Sequence, residues 1–81
     1  MKLIKYITIE SNESFDQALV KIRKNIRESA FFINESPHKL AGNHKILKLL
    51  SKDNFEDFVK IDGPGFIIDK LYDYFIMKWK N

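Results

Sequence analysis

Two histidines, five serines and a run of basic residues are the side chains of this 81-residue sequence that could do chemistry. His38 and His44 are six positions apart, with Glu35 nearby. That spacing does not bring two imidazoles onto one helical turn, as a metal pair needs, so no metal site is expected there. Ser11, Ser14, Ser29, Ser36 and Ser51 sit in no nucleophile-elbow context, and no histidine and carboxylate share a diagnostic spacing. Glu56 and Asp57 are adjacent and would point apart on a helix. With no cysteine, the chain has no disulfide, thiolate nucleophile or cysteine zinc site. Asp62-Gly63-Pro64-Gly65 reads as a turn before a helix start, where free amides can hold an anion. It lacks the lysine and hydroxyl of a phosphate loop, and Asp62 would itself repel a phosphate. The expectation is a protein without cofactor that is not an enzyme.

The basic residues point instead to binding. Over Ser14–Ile33 the apolar Phe15, Ala18, Leu19, Ile22, Ile26, Ala30 and Ile33 recur at three- and four-residue spacings, the period of a helix face. The opposite face holds a second stripe of Val20, Lys24, Arg27 and Phe31, flanked by Lys21 and Arg23. Apolar side chains among basic ones are what an interface uses, so these six are the candidate partner-binding residues. The ordinary alternative is a solvated helix face. Lys39, Lys45, Lys48 and Lys52 add a second basic run. With Gly42 in their midst they faintly resemble two helices joined by a tight turn, and they are the candidate nucleic-acid contacts.

These side chains need elements to carry them. Leu3–Ile9 alternates in the manner of a strand, within residues 2–10, and needs a pairing partner. Phe31–Asn34, Phe58–Ile61 and the first strand of a second copy are the candidates, the last making a homodimer. The long helix is expected over about residues 14–33, started by a capping box of Ser14 and Gln17. A short helical middle is expected over about 37–60. Its Ile46, Leu47 and Leu50 would face the core, although Val59-Lys60-Ile61 could equally be a short strand. A last helix is expected over about 66–80, where Ile67, Ile68, Leu71, Tyr72, Tyr74, Phe75 and Trp79 form a broad apolar arc. The fold class is therefore α+β and helix-dominated, with all-α as the alternative, in a single domain spanning 1–81.

Bulk composition narrows the setting. A chain this short has one small core, and its 44% hydrophobic and 14% aromatic residues are enough to fill it. No apolar run reaches the ~20 residues that span a bilayer, and MKLIKYITIE is too polar for a signal core, so a cytoplasmic protein with no membrane partner is expected. The favoured residues, Lys, Ile, Asn and Phe, have A/T-rich codons, which fits a low-GC bacterium or a phage. Lys21–Lys52 holds eight basic residues against two acidic, a balance of +6, whereas Asp53–Met77 holds six acidic against two basic, a balance of −4. Small size, no cofactor motif and a two-faced helix together point to a protein that docks on a larger host protein. A phage or mobile-element inhibitor of a host nucleic-acid-processing or defence system, anti-CRISPR-like, is the specific form expected. A small basic nucleic-acid-binding domain is the alternative.

Overall fold

A computed structural model describes residues 2–79. In chain order the elements are β1 (Lys2–Thr8), α1 (Phe15–Asn25), a 3₁₀ turn (Glu28–Ala30), β2 (Phe31–Ile33), β3 (His38–Lys39), β4 (His44–Ser51), β5 (Asp57–Pro64) and α2 (Gly65–Trp79). The strands form one five-stranded mixed sheet in the order β1-β5-β4-β2, with β3 pairing beside β2 on the same edge of β4. Helix and strand take equal shares, 36% each, so the helix-dominated and all-α expectations are both overturned.

The corrections have a common physical cause. The expected helix over 14–33 stops at Asn25, whose side-chain amide donates to the Lys21 carbonyl at 2.7 Å. Asparagine is a weak helix former that competes for backbone partners. Ile26, Ala30 and Ile33 still pack against the core, but from the connection and from β2. The expected helical middle over 37–60 is instead β3, β4 and the first half of β5. In β4, His44, Ile46, Lys48 and Leu50 alternate with Lys45, Leu47 and Leu49, and Leu47 and Leu49 reach the core while Leu50 lies on the other face. Eight residues satisfy helical and strand periods equally well, and available pairing partners on both sides decide for strand. Asp62-Gly63-Pro64-Gly65 is not a turn: β5 runs through Pro64 and α2 begins at Gly65. A Cβ on Gly63 would lie 2.8 Å from Ile9 Cβ, so glycine allows the close approach of the segment after β1. The reversal between β3 and β4 is made at Gly42, with φ of 70°, and Leu40 N donates to the His44 carbonyl at 2.8 Å.

Other expectations hold. Ser14 and Gln17 form both bonds of the capping box, at 3.2 and 2.8 Å. The first strand exists, and among its candidate partners it takes the Phe58–Ile61 segment, pairing parallel to β5. Ala18, Leu19 and Ile22 of α1 join Ile67, Ile68, Leu71 and Phe75 of α2 in one buried cluster with Ile7, Leu47, Leu49, Val59 and Ile61 of the sheet. Both helices therefore cover the same face of the sheet. No described helix is long and apolar enough to cross a membrane. Lys80, expected in the last helical turn, lies outside the described residues.

A polar clasp ties α1, the 3₁₀ turn and α2 together. Glu28 accepts from Arg23 Nε and Lys78 Nζ, each at 2.6 Å, and Arg23 also donates to the Tyr74 hydroxyl at 2.7 Å. Burial pushes the Glu28 carboxyl up, but the bonds from Lys78 and Arg23 outweigh it and hold it below its ordinary 4.5. A carboxyl lowered on folding stabilises above its unfolded pKa and loses that contribution as pH falls through the folded value. Glu28→Gln is therefore expected to cost about 1–2 kcal/mol near pH 7 and less at about pH 3. Urea midpoints of both proteins at the two pH values check this; an equal deficit at both would rule it out.

Candidate functional site

The face of the sheet away from the helices is the unusual surface of this molecule. Strand alternation and register place its side chains in rows across the strands. One row is Leu3, Phe58, Leu50 and Phe32, all register partners in turn. The next is Tyr6, Lys60 and Lys48, and the third is Thr8, Asp62, Ile46 and His38. Leu50 and Phe58 are 6% and 8% exposed, yet neither belongs to the core beneath the helices. Lysines stand over Phe58: Lys48 Nζ is 4.7 Å and Lys60 Nζ 5.8 Å from its ring centre. Phe55, from the β4–β5 connection, meets Phe32 edge-on at 5.8 Å and is 66% exposed; Tyr6 is 49% exposed.

The carboxylates near this face are already engaged. Asp62 Oδ2 accepts from the Tyr6 hydroxyl at 2.9 Å, a bond that holds the phenol above its ordinary pKa. Its other oxygen is buried without a hydrogen bond, 3.5 Å from His44 Nδ1. Glu35 bonds His38 Nε2 at 2.8 Å, and that bond, assisted by the charge of Lys48, holds the Glu35 carboxyl low. A groove of about 740 Å³ adjoins His44 and is also lined by Ser11, Lys39, Asn43, Lys45 and Phe66. Lys45 there is clamped by Asp69, 2.9 Å from both oxygens, and no hydrogen bond joins Ser11 to His44 among the described residues. No three metal-ligating side chains converge among the described residues.

The residues singled out from sequence are dispersed by the fold. Of the six on the supposed second helix stripe, Val20 and Lys24 are exposed on α1. Lys21 bonds the Thr8 carbonyl and Glu13, and Arg23 belongs to the Glu28 clasp. Arg27 and Phe31 lie beyond the end of α1, and Phe31 is buried in the core at the start of β2. The four lysines of the second run diverge too. Lys39 and Lys45 are register partners on the helix side, Lys48 is on the open face, and Lys52 follows β4. The supposed helix-turn-helix is a β-hairpin. Sequence reasoning missed Tyr6, Phe55 and Lys60 as a group. The signal was the alternation Phe58-Lys60-Asp62, but Lys60 counted there as a minority charge in an acidic segment. No protein-family model, curated protein or solved structure matches this chain.

Proposed function

We propose that this chain is a small, non-enzymatic binding domain that takes nucleic acid on the helix-free face of its sheet. The observation that carries this reading is the Lys48–Lys60 pair. The two are direct register partners on adjacent strands, and both ammonium groups gather over one ring. Two ammonium groups held side by side on adjacent strands offer an anion a two-point contact. A polyanion with apolar bases suits a surface of lysines set among aromatic rings.

The test is fluorescence anisotropy with labelled DNA and RNA of about 12 nucleotides. Two to four phosphate contacts give an affinity that falls roughly 7- to 50-fold between about 50 and about 200 mM salt. No binding at the lower salt overturns the reading.

A second reading has its own observation. The outer edge of β1 is unpaired among the described residues, with Leu3 and Ile4 exposed along it. A strand of a larger host protein could extend the sheet there, as an inhibitor of a host defence system would dock, and so could a second copy of this chain. Lys2, Lys5 and the irregularity between Leu3 and Lys5 are the usual guards of such an edge and count against it.

A further inference from the structure

Resting on the nucleic-acid reading, we infer that the ligand is a single strand, with bases stacked on Tyr6 and Phe55 and the backbone crossing Lys60 and Lys48 between them. Tyr6 stands on one edge strand of the sheet, and the Phe32–Phe55 pair stands at the other. Three strand intervals separate β1 from β2, about 14 Å at the usual spacing. The lysine row and the aromatic row of Phe58 and Phe32 lie two residues apart along the strands, about 7 Å. Tyr6 closes one end of the lysine row and the Phe32–Phe55 pair stands at the far edge, so a strand laid across the sheet meets a ring at each end with both lysines between them. The ammonium groups already sit above the sheet, over Phe58. Swinging them outward to phosphates would uncover Phe58 as a third stacking ring.

A duplex keeps its bases paired and stacked on one another, so it could use the lysines but not the rings. A protein partner is disfavoured by the layout of the same surface. The exposed rings of Tyr6 and Phe55 stand at opposite edges with Lys60 and Lys48 between them, whereas a protein interface keeps charge out of its core. The lysines are placed centrally: Lys48 and Lys60 stand on the two middle strands of the face, whereas Asp62 bonds Tyr6 and Glu35 bonds His38.

The experiment compares oligo-dT, oligo-U and a DNA duplex, each of about 12 nucleotides or base pairs, by anisotropy at about 50 mM salt. Single strands are expected to bind roughly 10-fold tighter than the duplex, because base–aromatic stacking is withheld from paired bases. Tyr6→Ala and Phe55→Ala are each expected to weaken single-strand binding roughly 10-fold, and Tyr6→Phe, which keeps the ring and loses the bond to Asp62, to restore most of it. Both aromatic residues are exposed, and a thermal melt of each variant verifies its fold. Equal affinity for single strand and duplex, with Tyr6→Ala and Phe55→Ala unchanged, would overturn the stacking inference and leave the nucleic-acid reading standing. Absence of binding by all three probes would overturn both.

Discussion

Phe75→Ala is expected to remove about 3–5 kcal/mol of stability, the largest loss from any single truncation considered for this fold. Phe75 is fully buried in the last third of α2. It packs with Leu71, Ile68 and Ile67 into the cluster that joins both helices to β4 and β5, and its ring meets Tyr74 edge-on at 5.1 Å. Tyr74 in turn takes the hydrogen bond from Arg23, so the packing and the Glu28 clasp converge on this turn of α2. Truncation removes the buried ring and leaves a cavity that an 81-residue domain has few side chains to refill. A domain of this size has roughly 4–12 kcal/mol in total, so the variant is expected to be marginally folded at 25 °C. Urea unfolding followed by circular dichroism checks it. A lower midpoint with unchanged slope is expected. A loss below about 1 kcal/mol would mean that the end of α2 is not docked on the sheet.

What could be read from the sequence was what local chemistry determines. The capping box at Ser14 and Gln17, the first strand and the apolar face of α2 each depend on neighbours a few residues away. The alternation of β1 is broken only at Lys5, where the register with β5 shifts. The end of α1 was hidden because Ile26, Ala30 and Ile33 continue the helical spacing by serving the same core from other elements. The middle of the chain was misread because β4 and β5 carry apolar residues on both faces, which removes a clear period of two. Leu50 and Phe58 lie on the face away from the helices yet are buried, and two lysine ammonium groups stand over Phe58. The candidate site was therefore illegible for a topological reason. Tyr6, Lys48 and Lys60 come from three strands, and only the parallel pairing of β1 with β5 sets Tyr6 beside Lys60. Charge balance counted along the chain could not reveal it either, since Lys45 pairs with Asp69 and Lys78 with Glu28 across the basic and acidic segments.

Stability and binding respond differently to the lysine pair, which separates a functional surface from an incidental one. The double variant Lys48→Gln/Lys60→Gln keeps much of the side-chain cover over Phe58; it removes the cross-strand repulsion but also both ammonium–ring contacts, and the two effects oppose each other. Its stability is expected to stay within about 0.5 kcal/mol of the parent's, a change of no more than roughly 2–4 °C in Tm. Its affinity for a single strand is expected to fall roughly 30-fold at about 50 mM salt, with a flatter salt dependence. Lys24→Gln/Arg27→Gln removes the same charge from the helix side, where the sequence had placed the binding surface. The most direct measurement is therefore the anisotropy of labelled oligo-dT with the parent and these two double variants, beside their thermal melts. Binding lost in Lys48→Gln/Lys60→Gln, retained in Lys24→Gln/Arg27→Gln and accompanied by only a small change in Tm is the expected result. Binding retained in Lys48→Gln/Lys60→Gln with the parent's salt dependence would contradict the assignment of the open sheet face.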